Sequence, residues 1–197
     1  MTLLLVTASM YASPLHPDEQ GHFGMPIMLT SPDRFLKAGE AYFDPSSKRV
    51  IFQAIEQTES GETPDSNYSM FIGNLVFDEN DSITGMSQIR KLSASGSSNT
   101  CGWFHPRKKG TVLFATTTTP VIQNESPGYQ RGTGRYRWAF PPSMNIVSYD
   151  LATNQATTLV NDPDHYVAEG SWSPDGRHLL YCSLATGSGD IYVTDLQ

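Results

Sequence analysis

The sequence is short of cysteine, has no excess of positive charge, contains no long apolar run and shows no sustained helical period. Each absence removes a class of protein. The two cysteines, Cys101 and Cys182, are too few for a disulfide framework and lack the paired spacing of a zinc site. Both sit in apolar, strand-like surroundings, where a free cysteine serves as a small buried residue. Only 13 Lys and Arg stand against 20 Asp and Glu, a formal charge of −7. That balance argues against a nucleic-acid partner, which calls for a basic face. No stretch is long and apolar enough to span a bilayer. Apolar residues nowhere recur at the three-to-four spacing of an amphipathic helix over a useful length. Charged residues are sparse as well, but 38% apolar residues suffice for a packed core rather than a disordered chain.

What is plentiful is turn chemistry. There are 16 glycines and 13 prolines, which suits many short strands joined by turns. The clearest turn lies in Trp172-Ser173-Pro174-Asp175-Gly176-Arg177-His178-Leu179-Leu180-Tyr181. Pro174 presets φ for a turn and Gly176 supplies the positive φ that a tight reversal needs. Trp172 and Tyr181 are large residues suited to a sheet surface. The pattern occurs three times. Phe43-Asp44-Pro45 and Phe104-His105-Pro106 align with Trp172-Ser173-Pro174, and the three prolines are 61 and 68 residues apart. Ser46-Ser47 stands where the third copy has Asp175-Gly176, and the second copy carries one extra turn residue. The spacing exceeds that of common propeller blades. Insertions at 56–67 and 118–143 account for the excess.

Further strands are expected after each hairpin: 68–77 and 88–92 in the first unit, 144–151 and 156–160 in the second, 190–196 in the third. Pro26–Thr30 reads as an additional short strand and 35–40 as a connection. Each unit is thus a four-stranded meander, the third without its last strand. The expected fold is all-β: a β-propeller of four-stranded antiparallel blades at about 38–98, 99–166 and 167–197. About three blades are present, a partial propeller. Radial repetition of this kind protects strand edges. The aromatic closing each first strand, Phe43, Phe104 or Trp172, is expected to pack between neighbouring blades.

Residues 1–25 form a separate N-terminal segment. Residues 1–13 have an apolar stretch and small residues near Ala12 but no positive start. They fit a secretory signal or its remnant, and equally a plain strand. His16, Asp18, Glu19 and His22 crowd together behind them, but Pro14, Pro17 and Gly21 deny them the regular scaffold on which metal motifs aim their ligands. An entry loop without metal is the expectation.

The starts Gly39-Glu40-Ala41-Tyr42-Phe43, Thr100-Cys101-Gly102-Trp103-Phe104 and Ala168-Glu169-Gly170-Ser171-Trp172, the Ser173-Pro174-Asp175-Gly176 turn and the Asp190-Ile191-Tyr192-Val193 strand together resemble the PD40 repeats of bacterial TolB-like propellers. The resemblance runs from about Pro26 to the C-terminus. It implies a periplasmic or secreted binding module without catalytic residues or cofactor, its partner a protein or envelope component. Propellers of that kind usually have six or seven blades, so a fragment of a longer product is expected. Fold alone does not fix function. Two other readings stay open: the propeller of a larger prolyl-oligopeptidase-like hydrolase, or a carbohydrate-active propeller. Neither Gly-x-Ser-x-Gly nor His-Glu-x-x-His occurs, and the His/Gln metal cluster of propeller lyases acting on oligogalacturonate has no counterpart in the scattered histidines.

The stretch richest in binding chemistry is the insert of the second unit. Tyr129, Arg131, Arg135, Tyr136, Arg137 and Trp138 concentrate there among glycines. Arginine and aromatic side chains dominate binding hot spots through forked hydrogen bonds and stacking. These six residues are the candidate ligand contacts. The alternative is a loop that folds over its neighbouring blade.

Overall fold

The computed structural model describes residues 15–59, 62–117, 120–121, 127–130 and 132–196. Among the described residues, thirteen strands build three successive antiparallel sheets and one small hairpin. The first sheet runs β1 (Phe35–Phe43), β2 (Arg49–Glu56), β3 (Ser69–Phe77) and β4 (Ile83–Lys91). In the second, β5 (Asn99–Phe104) pairs with β6 (Thr111–Thr117), which pairs with β9 (Met144–Asp150) and then β10 (Gln155–Val160). The third has β11 (Val167–Trp172), β12 (His178–Ser183) and β13 (Asp190–Asp195). The hairpin of β7 (Gly128–Gln130) and β8 (Arg135–Arg137) lies in the β6–β9 connection. The first strands are neighbours, β1 against β5 and β5 against β11. This is a propeller-like array of three blades, not a closed ring.

Two cores lie between successive sheets. Ile51, Met70 and Ile72 of the first sheet pack with Phe104, Val112, Phe114, Val147 and Tyr149 of the second. Leu113, Ala115, Met144 and Ile146 of the second pack with Ala168, Trp172 and Leu179 of the third. A third cluster, Phe35, Val50, Phe52, Phe71 and Leu75, fills the other face of the first sheet. Alternation along β2 and β6 sends successive side chains to opposite faces, and both faces are covered. Val50 to Ile55 and Val112 to Ala115 are accordingly all buried.

The three repeat turns solve one problem with three side chains. The residue after the closing aromatic must satisfy backbone amides that the turn leaves without partners. Asp44 Oδ1 accepts from the Lys48 and Arg49 amides at 2.8 and 3.0 Å. His105 Nδ1 accepts from the Arg107 and Lys108 amides at 3.0 and 2.9 Å. Ser173 Oγ accepts from the His178 amide at 3.0 Å. Ser47, where the third copy has Gly176, takes the same left-handed conformation, φ 56° against 72°. The repeat is one of backbone path, with the residue types free to vary.

The structure corrects four expectations. Pro26–Thr30 forms no strand. Pro26 has no amide to give a ladder, and Leu29 instead packs singly onto the first sheet's outer cluster. Residues 35–40 are not a connection but the first half of β1, anchored by Phe35 edge-on to Phe52 and Phe71 at 5.6 and 5.2 Å. Phe43 is 59% exposed, while Phe104 and Trp172 are 4% and 7% exposed. All three hold the same register place, opposite Val50, Val112 and Leu179. The difference is the neighbour: Phe104 and Trp172 each face a preceding sheet, and among the described residues no sheet lies on that side of Phe43. The expected strand at 88–92 is longer than anticipated, spanning Ile83–Lys91. Among the described residues no helix is long and apolar enough to cross a membrane.

Candidate functional site

Each first strand carries a bulge at the same place. Pairing slips between Gly39 and Tyr42, between Thr100 and Trp103, and between Ala168 and Ser171. One extra residue on the bulged strand bends it and re-aims its side chains. The residue that turns is Glu40 (φ 45°), Cys101 (φ 54°) or Glu169 (φ 57°). Glycine usually fills such a left-handed position, and a larger residue there costs about 1–3 kcal/mol. Three non-glycine residues hold it in this chain.

In the second and third bulges the next residue is glycine because it meets the preceding sheet. A Cβ on Gly102 would lie 2.7 Å from Ile51 Cδ1 and 2.9 Å from Met70 Sδ. A Cβ on Gly170 would come within 3.1 Å of Leu113 Cδ1. Close packing behind the bulge thus leaves Glu40, Cys101 and Glu169 on its open side. With Tyr42, Trp103, Gly170 and Ser171 they line one cavity of about 440 Å³. Tyr42 and Trp103 meet there with ring centroids 4.6 Å apart.

Glu40 is the hydrogen-bond centre of the cavity. Its Oε2 accepts from Thr100 Oγ1 at 3.1 Å and from the Cys101 thiol at 3.0 Å. Burial pushes the Cys101 thiol well up, and the Glu40 carboxylate pushes it further. A nucleophilic cysteine needs the opposite environment, because the thiolate is the reactive form. Cys101 is therefore a protonated donor. Burial raises the Tyr42 and Tyr136 phenols as well, with Cys101, Glu40 and Glu169 adding to the effect in both. The Tyr68 phenol is pushed up to about 12 by burial, and then by Tyr136 and Glu40.

Residues 127–130 and 132–140 of the insert run as a strap from the first sheet to the third. At one end Lys37 Nζ donates to the Pro127 carbonyl at 3.2 Å. Gly128, at φ 88°, sits so tightly on the Tyr68 hydroxyl that no Cβ would fit. At the other end Trp138 Nε1 donates to Tyr166 Oη at 3.1 Å, and Phe140 meets the Tyr166 ring edge-on at 5.2 Å. Between these anchors Tyr129 pairs with Tyr136 across the hairpin, and both are exposed, at 59% and 62%. Arg135 and Arg137 are exposed on β8. Trp138 is half-buried against the core between the second and third sheets. Arg131 lies outside the described residues. Of the six candidate contacts, Tyr129, Arg135, Tyr136 and Arg137 are thus carried on one short hairpin, and Trp138 is an anchor of the strap.

Sequence reasoning did not single out Glu40, Cys101 and Glu169, although all three stand in the aligned repeat starts. The available signal was a polar residue followed by Ala or Gly, two places before the aligned Tyr42, Trp103 and Ser171. Metal chemistry has little to work with here. Among the described residues no three His, Cys, Asp or Glu side chains come together as a metal-ligand group.

No protein-family model matches the sequence, and no curated protein matches it. Among solved structures the chain is similar to an oligogalacturonate lyase from Vibrio parahaemolyticus. The identity is 11% over 90% of this chain and 70% of that one, with a TM-score of 0.25. A likeness that slight adds nothing to what the three sheets show by themselves, an all-β, propeller-like fold.

Proposed function

We propose that the chain belongs to a TolB-like propeller of PD40 repeats, periplasmic or secreted, and acts as a binding module rather than an enzyme. Its ligand site is the bulge cavity lined by Glu40, Cys101 and Glu169. One observation carries this reading: three repeat-equivalent positions, all in left-handed conformation, deliver Glu40, Cys101 and Glu169 to a single cavity. Strained, non-glycine backbone of this kind is concentrated at functional sites.

The chemistry of the cavity selects the ligand class. Its lining carries two carboxylates, two aromatic rings and a serine, with no cationic side chain among the described residues. Carboxylates accept hydrogen bonds, and the faces of Tyr42 and Trp103 attract cations. A Lys- or Arg-bearing segment of a partner protein meets both demands.

The test is fluorescence anisotropy of a labelled Lys/Arg-rich peptide against the full chain, beside an Asp/Glu-rich peptide of equal length. Preferential binding of the basic peptide, weakened at least tenfold in Glu40→Gln/Glu169→Gln, is the expected result. Equal binding of both peptides, or an unaffected double variant, overturns the site. Turnover of an oligouronide or a peptide substrate by the purified chain overturns the non-enzymatic reading.

A further inference from the structure

A second site of opposite charge lies at the turns of the first two sheets. The β1–β2 turn contributes Asp44, Pro45, Ser46 and Arg49, and Phe104 with the β5–β6 turn contributes the rest of a pocket of about 290 Å³. Four cationic side chains line it, Arg49, Arg107, Lys108 and Lys109, against the single carboxylate of Asp44. In an acidic protein this is a local reversal of sign.

The cations divide into two groups. Arg49 is committed: its Nε meets Asp44 Oδ2 at 3.3 Å and its guanidinium lies 5.3 Å from the centre of the Phe104 ring. This pair forms a neutral, ordered wall. Arg107, Lys108 and Lys109 are exposed, and among the described residues none of the three pairs with a carboxylate. Their backbone is held nonetheless. His105 Nδ1 takes the Arg107 and Lys108 amides, and the Thr111 amide donates to the Lys108 carbonyl at 3.3 Å. His105 itself is buried, so the turn presents three exposed cations from a fixed base. Pro45 and Pro106 add apolar surface beside them.

We infer that this pocket binds the phosphoryl group of a small phosphomonoester, with the ester's organic part against the two prolines. A phosphomonoester carries about −1.5 to −2 charges at neutral pH and three acceptor oxygens. Three uncommitted cations match that charge better than they match a single carboxylate. The arginine fork and the lysine ammonium groups are the usual donors to such oxygens. The site shares no lining residue with the bulge cavity, so it stands or falls independently of the function proposed above.

The experiment is calorimetric titration of the full chain with inorganic phosphate and with glucose 6-phosphate, at low and at physiological salt. The variant is Arg107→Ala/Lys108→Ala/Lys109→Ala, and vesicles of phosphatidylglycerol form a separate arm. Binding of glucose 6-phosphate more tightly than phosphate, falling with salt and weakened at least tenfold in the variant, is the expected outcome. The ester also raises the melting temperature of the wild type but not of the variant, through ligand linkage. Equal affinity of the variant, no binding at millimolar ester, or capture by vesicles without binding of the soluble ester each overturns the inference.

Discussion

The His105 imidazole rests on the Trp172 indole, ring centroids 4.6 Å apart and tilted by 51°. One side chain thus does two jobs: it accepts the amides of its own turn and covers the closing aromatic of the next sheet. Arg49 over Phe104 is the same relationship one sheet earlier. The blades are joined by these contacts as well as by the cores between them.

Trp172 is 7% exposed, and among the described residues its Nε1 has no hydrogen-bond partner. Its value is therefore packing. Trp172→Ala should cost about 3–5 kcal/mol, while Trp172→Phe should cost much less, because a buried donor without a partner is removed with it. Denaturant midpoints of the two variants decide this. A Phe variant as damaged as the Ala variant would show that the indole nitrogen matters.

His105 is held neutral. Burial lowers its pKa from the usual value, and the nearby Lys108 charge lowers it further. A group with a lowered folded pKa contributes stability above its unfolded pKa and loses it as pH falls through the folded value. Stability should accordingly decline as pH drops below about 6.5, the ordinary histidine value. Urea unfolding from pH 8 to pH 5 should show this slope in the wild type and a shallower one in His105→Asn. An identical slope in both assigns the acid sensitivity elsewhere.

The two bulge glycines should not be equivalent. A Cβ at position 102 meets Ile51 and Met70 below 3.0 Å, whereas at position 170 the nearest atom is 3.1 Å away. Gly102→Ala should cost about 1–3 kcal/mol, in the range of other overpacked cores, and Gly170→Ala less. Thermal melts of the two variants test the order. The reverse order would mean that the Ile51 and Met70 side chains yield readily.

The strap should separate into anchor and display residues. Trp138→Ala loses the bond to Tyr166 and part of a core contact, and should cost about 1–2 kcal/mol. Arg135→Ala should stay within about 0.5 kcal/mol, as an exposed substitution does. Paired melts and peptide-binding curves check both. A stable Trp138→Ala with lost binding would move Trp138 from anchor to contact.

Much of the fold was legible in the chain. Phe43, Phe104 and Trp172 line up in the sequence and occupy one register position in the structure, because turn chemistry and a period-two pattern are local properties. What misled was equally physical. Phe43 looks like Phe104 in sequence, but burial depends on which sheet stands opposite, and no local pattern encodes that. Pro26–Thr30 has strand-like residues, but pairing needs a free edge with matching amides. The strap's Arg and aromatic residues were visible as a composition. Only folding sorted Trp138 from Tyr136.

The sequence alone determined the repeats, their turns and the all-β class, since each depends on residues within a few positions of one another. It also determined the local sign of charge at Arg107-Lys108-Lys109. The tertiary structure decided the two sites. Glu40, Cys101 and Glu169 are about 60 to 70 residues apart along the chain. They share a cavity only because three separate strands bulge at the same register and lie side by side. Arg49 reaches Phe104 for the same reason: adjacent sheets, rather than adjacent residues, bring them together.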